Sequence, residues 1–113
     1  MQIDIRGQNV AVSGSLAAHC LDRLDRALRP FASRLAHVQI VFVDLNGPKK
    51  SPAQACRATV ELLNGGRVRF ESRTEDYYQS AGQAIAGIVR PIQRALARRR
   101  DVRMGLSPTL PAA

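Results

Sequence analysis

Cys56-Arg57-Ala58-Thr59-Val60-Glu61-Leu62, followed by Asn64-Gly65-Gly66 and then Arg67-Val68-Arg69-Phe70-Glu71-Ser72-Arg73, is the stretch that decides the fold. Cys56, Ala58, Val60 and Leu62 alternate with Arg57, Thr59 and Glu61, the period-2 pattern of a strand buried on one face. Asn64-Gly65-Gly66 permits the positive φ that a tight hairpin needs. On the return strand Val68, Phe70 and Ser72 alternate with Arg67, Arg69, Glu71 and Arg73. The outward arginines and glutamates are placed to pair across the strands, for a few tenths of a kcal/mol each.

Upstream of the hairpin, Val38 to Leu45 is nearly all apolar and β-branched, the composition of a central strand. The segment Asn46-Gly47-Pro48-Lys49-Lys50-Ser51-Pro52 between them is turn chemistry with two lysines at its tip. Nearer the start, Ile3 and Ile5 alternate with Gln2, Asp4 and Arg6, a short half-buried strand closed by Gly7. Ser13-Gly14-Ser15 offers helix caps. Leu16, Cys20, Leu21, Leu24, Ala27, Leu28 and Phe31 then define an apolar helical stripe, with helix expected from about Ser15 to Ser33. Pro30 should kink or end that helix, because its ring clashes with the preceding turn.

Downstream of the hairpin, Thr74 is positioned to cap a last helix with Glu75 and Asp76 in its first turn. Its stripe is Tyr77, Ala81, Ala84, Ile85, Ile88, Ile92 and Leu96. Gly82, Gly87 and Pro91 interrupt it, and a proline in a helix interior costs about 3 kcal/mol, so a kink is expected near Gly87–Pro91. Residues 104–113 have no stripe left and read as a disordered tail. The order is β-α-β-β-β-α: an α+β domain over residues 1–103, with two helices on one face of a four-stranded, mainly antiparallel sheet. At 113 residues the chain is one domain with a single core.

Charge speaks to function. Seventeen basic residues stand against nine acidic ones, a formal net charge of +8, and fifteen of the seventeen are arginine. The planar guanidinium fork suits bidentate contact with phosphate, so a nucleic acid is the implied partner. The cations concentrate at the end of the last helix, in Arg90, Arg94, Arg98, Arg99, Arg100 and Arg103, beside the single acid Asp101. That exceeds what a helix C-terminus needs to complement its dipole.

Other classes fall away. Cys20 and Cys56 both sit on apolar periodicities and read as small buried hydrophobes in a reducing compartment. No apolar run approaches a membrane span and the N-terminus lacks a signal peptide's pattern, so a cytoplasmic protein is expected. His19 and His37 have no metal-type spacing to other ligands, and His19 and Cys20 point about 100° apart on a helix. There is no phosphate-binding glycine loop or nucleophile elbow. The expectation is therefore a non-enzyme with no cofactor and no small-molecule substrate.

Several local signatures, in order, resemble the hibernation-promoting factor and ribosome-associated inhibitor A family. They are the opening Met1-Gln2-Ile3 strand with Arg6-Gly7-Gln8-Asn9 after it, the Leu62–Phe70 hairpin around Asn64-Gly65-Gly66, and the helix start Glu75-Asp76-Tyr77-Tyr78 with Ser80 and Ala81. The resemblance covers about residues 1–100. It implies a fold similar to a double-stranded-RNA-binding domain. It further implies a monomer that binds small-subunit rRNA in the decoding channel and keeps idle ribosomes inactive by occluding mRNA and tRNA. Carried over by position, Arg90 and Arg94 match the family's basic contacts, Arg98, Arg99 and Arg100 continue them, and Arg23 and Arg26 match by placement on the first helix. Lys49 and Lys50 reach phosphate if their loop faces the same side. Tyr78 is either a half-buried anchor of the helix on the sheet, its hydroxyl at the rim, or a stacking platform for a base.

The sequence departs from the family at Gly87, Pro91 and Gln93, where charge or helix formers are usual. It also lacks the C-terminal domain with which long members pair ribosomes, so a short form is expected. Two other classes remain open: a generic structured-RNA-binding module, and a protein-interaction domain whose charge serves solubility.

Overall fold

The computed structural model describes residues 1–45 and 54–103, with side chains to residue 97. Lys49, Lys50 and residues 104–113 lie outside the described residues. The order is β1 (Gln2–Gln8), α1 (Gly14–Leu28), a 3-10 turn (Arg29–Arg34), β2 (Leu35–Asp44), β3 (Gln54–Leu62), β4 (Arg67–Thr74) and α2 (Tyr77–Arg103). The strands lie in sequential order in one sheet. β1 pairs parallel to β2, and the other two pairings are antiparallel. This is the α+β, β-α-β-β-β-α arrangement expected from the alternation pattern.

Large residues face small ones across the buried face. Phe42 lies opposite Cys56, and Ile40 opposite Ala58, so the middle of the sheet leaves room for the helices. α1 contributes Leu16, Cys20, Leu24 and Leu28, all buried. α2 contributes Ala81, Ala84, Ile85, Ile88, Ile92 and Leu96 to the same core. Each fully buried Leu or Ile is worth about 1.5–3 kcal/mol relative to exposure. Burial pushes the Cys20 thiol up to about 11 and the Cys56 thiol to about 12, the nearby Cys20 adding to the latter. Both are unreactive core residues.

Four local expectations need correction. α1 ends at Leu28 rather than running to Ser33, because Pro30 has no N–H to continue the α ladder and the chain tightens into 3-10 geometry. Leu21 is not in the core: it is 47% exposed, since the stripe needs only every fourth residue from Leu16 to Leu28. β2 begins three residues earlier than expected, at Leu35. Thr74 is not the cap of α2. It is the last residue of β4, and its hydroxyl accepts from the Asp76 N–H (3.2 Å) and donates to the Asp76 carbonyl (2.6 Å). Asp76 takes the capping role, its carboxylate accepting from the Tyr78 N–H at 3.2 Å.

At the hairpin, Gly65 has φ 95° and its N–H donates to the Leu62 carbonyl at 3.0 Å, the conformation for which a glycine is needed. The Asn64 side chain accepts from the Gly66 N–H at 3.1 Å. α2 is assigned as helix through all 27 of its residues, Pro91 included. Pro91 stands four residues after Gly87, so the carbonyl its ring crowds belongs to a residue without a side chain. Gly87 has a tertiary reason as well. A β-carbon there would lie 2.5 Å from the Phe70 ring of β4, so the glycine lets α2 approach the sheet edge.

Candidate nucleic-acid interface

The outward side of α2 is set by its buried side. Ile85, Ile88, Ile92 and Leu96 face the sheet, which leaves Arg90 and Arg94, one turn apart, exposed on the opposite side. Neither has an acid three or four residues away. Neither makes an ion pair among the described residues, so both guanidiniums keep their full set of donors. Arg98, Arg99 and Arg100 continue in the helical part of α2.

α1 runs beside α2 and divides its arginines into two kinds. Arg26 pairs with Asp22 at 3.4 Å and Arg29 with Asp25, both one turn apart. Arg23 has no acid at either spacing and is unpaired among the described residues. Instead it lies over α2, where a β-carbon at Gly82 would be 3.8 Å from the guanidinium carbon. Between the helices runs an open groove of about 570 Å³ lined by His19, Asp22, Arg23, Arg26 and Gly82. The structure thus brings Arg23 and Arg26 together at one groove. Arg90 and Arg94 lie further along α2, outside that lining.

Tyr78 ties the two helices at their N-terminal ends. Its hydroxyl is 2.9 Å from the Ser15 hydroxyl, and its ring meets His19 edge-on with centroids 5.1 Å apart. Its anchorage is to α1, whereas the neighbouring Tyr77 is the one that packs on the sheet, edge-on to Phe42 at 5.3 Å. Tyr78 remains 40% exposed. Burial, followed by the Asp44 carboxylate, raises the Tyr77 hydroxyl above its ordinary pKa. His19 Nε2 is buried without a hydrogen-bond partner among the described residues.

One group of arginines was legible in the strands only as ion-pair partners. Arg57 and Arg73 both bind the Glu71 carboxylate at 2.8 Å, and Arg67 binds Glu61 at 2.9 Å. These pairings hold Glu71 below the usual carboxylate pKa, the Arg73 hydrogen bond most strongly, then that of Arg57. Arg69, on the same face, has no partner among the described residues. Its signal in the sequence is the Arg-Val-Arg-Phe alternation, which puts Arg69 in the outward register directly opposite Thr59 rather than an acid.

Among the described residues no group of three His, Cys, Asp or Glu could hold a metal ion, and no helix is long and apolar enough to cross a membrane.

Comparison with known proteins agrees with this arrangement. No curated protein sequence matches the chain. The fold is similar to that of a ribosomal subunit interface protein from Coxiella burnetii, with a TM-score of 0.72 at 21% identity, over 86% of this chain and 99% of that one. It is also similar to the N-terminal domain of Thermus thermophilus Protein Y, with a TM-score of 0.65 at 21% identity, over 83% of this chain and 98% of that one. A family model described as sigma 54 modulation protein / S30EA ribosomal protein matches residues 3–100. Spanning every strand and nearly all of α2, that match shows that the chain belongs to the sigma 54 modulation / S30EA ribosomal protein family.

Proposed function

We propose that this protein binds the small ribosomal subunit through its rRNA and keeps idle ribosomes inactive by occupying the decoding channel where mRNA and tRNA would sit. The observation that carries this reading is the pair Arg90 and Arg94, exposed one turn apart on α2 with no ion-pair partner among the described residues. Family membership supplies the ribosome as partner, and the Coxiella neighbour is itself described as a subunit interface protein.

The mechanism requires occupancy rather than chemistry. Each arginine that neutralises a phosphate releases counterions, so affinity falls by about 0.7–0.9 log units per contact for each decade of salt. Arg23 and Arg26 at the interhelical groove, with Arg98, Arg99 and Arg100 at the end of α2, extend the contact. Structured RNA presents phosphates and 2′-hydroxyls to such a surface, so recognition follows shape more than sequence. Sucrose-gradient sedimentation of lysate from non-growing cells tests the reading. The protein should travel with small subunits and whole ribosomes at low salt and be released by high salt. A protein that stays at the top of the gradient at low salt overturns it.

A further inference from the structure

The sheet face turned away from both helices carries a second group of arginines. Cross-strand register places Arg6, Val41, Arg57 and Glu71 in one row, and Gln39, Thr59 and Arg69 in the next. With strands about 4.8 Å apart, the backbones of Arg6 and Arg57 are separated by about 10 Å, with Arg69 diagonal to Arg57. These rows line an open concavity of about 620 Å³.

The charges on this face do not cancel. A single carboxylate, Glu71, serves both Arg57 and Arg73. It engages each through Nε, which leaves the outer nitrogens of both forks free. Arg6 reaches Asp4 only at 3.9 Å, and Arg69 is exposed and unpaired among the described residues. Glu71 therefore acts as a brace that fixes two guanidiniums without neutralising the surface. Beside them, Gln39 and Thr59 supply uncharged donors and acceptors.

We propose that this face holds a second RNA segment by its phosphates, so that one domain bridges two RNA elements, one on α2 and one on the sheet. The first of these contacts rests on the reading of α2 given above; the second does not. Two features favour RNA over an acidic peptide. An extended peptide adds to a sheet at its edge rather than lying across its face. Amide and hydroxyl groups between arginines suit sugar hydroxyls between phosphates. Among the described residues no Phe or Tyr lies on this face, so contact is with the RNA backbone rather than with stacked bases.

A co-capture assay with the full chain tests the bridge. One RNA hairpin is immobilised, a second of unrelated sequence is fluorescent, and sedimentation velocity reports the number of chains per complex. The wild-type chain should bring the second hairpin down as a monomer. Arg6→Glu with Arg69→Glu should cut co-capture by about tenfold or more while weakening single-hairpin binding by less than about threefold. In an Arg90→Glu/Arg94→Glu background a weak residual RNA site should persist, and adding Arg6→Glu and Arg69→Glu should remove it. Co-capture that survives the sheet substitutions, capture by a dimer, no residual site in the α2 variant, or tighter binding of polyglutamate than of RNA at this face each overturns the bridge. An α2 variant that binds a single hairpin at full strength instead overturns the α2 reading and leaves the sheet site standing.

Discussion

α2 and the open face of the sheet both carry arginine, but most of the arginines on the sheet are paired with acids. On α2, Arg90 and Arg94 have no acid at helical spacing and are unpaired among the described residues. On the sheet, Arg57, Arg67 and Arg73 each meet a glutamate within 3 Å. α1 and the 3-10 turn after it show both states: Arg26 and Arg29 follow Asp22 and Asp25 by one turn, whereas Arg23 follows His19. What distinguishes Arg90 and Arg94 from Arg57, Arg67 and Arg73 is thus whether an acid stands one helical turn away, across the ladder or two residues along the strand, not exposure alone. A net charge of +8 is a poor guide by itself, because most of the strand arginines are already engaged.

The comparison can be broken most directly at α2. Arg90→Glu with Arg94→Glu should weaken ribosome co-sedimentation by about 30-fold or more, equivalent to about 2 kcal/mol. The salt dependence of binding should flatten by about 1.4–1.8 log units per decade. Thermal unfolding should hardly change, since both side chains are exposed. A parallel loss of melting temperature would show that the pair is structural and that the contrast with the sheet is false.

Next in size is the seam between the two regions. Gly87→Ala ordinarily stabilises a helix by about 1 kcal/mol. Here the added carbon meets the Phe70 ring at 2.5 Å, so the variant should instead lose about 1–3 kcal/mol in denaturant unfolding. A stabilised variant would mean that α2 does not sit against β4 as described.

A smaller effect sharpens the sheet side. Glu71 has a folded-state pKa below its ordinary value, so its pairing stabilises the protein above the usual carboxylate range, and that stability is lost as pH falls through the folded value. Glu71→Gln should cost up to about 1 kcal/mol near neutral pH and flatten the acid limb of the unfolding curve. An unchanged acid limb would show that the brace contributes nothing. Smallest of all, Tyr78→Phe removes the hydroxyl contact with Ser15 and should lower stability by about 0.5–1 kcal/mol. Ribosome binding should be retained if the ring either stacks or only packs; binding lost without loss of stability would give the hydroxyl itself a role in recognition.

Much of this molecule was legible because its elements have clean periods. The Cys56–Leu62 and Val68–Ser72 alternation and the Asn64-Gly65-Gly66 turn led directly to the hairpin, and the stripe from Ala81 to Leu96 led to α2. Boundaries were less legible. Thr74 and Asp76 are both good capping residues two positions apart, and only the extension of β4 through Thr74 hands the cap to Asp76. Leu21 fits an apolar stripe by spacing, yet the narrow seam of α1 needs only Leu16, Cys20, Leu24 and Leu28. In the site, the unpaired state of Arg90 and Arg94 was readable from helical spacing, while the sharing of Glu71 by Arg57 and Arg73 depends on register.

The sequence by itself determined the order of elements, the basic character of the last helix and the resemblance to a ribosome-associated family, because these depend on local period and composition. The tertiary structure alone decided that Glu71 serves both Arg57 and Arg73, why Gly87 is tolerated within a helix, and that Tyr78 joins α2 to α1. Each of those depends on what lies opposite across a strand ladder or a helix seam, and such neighbours are distant in the chain.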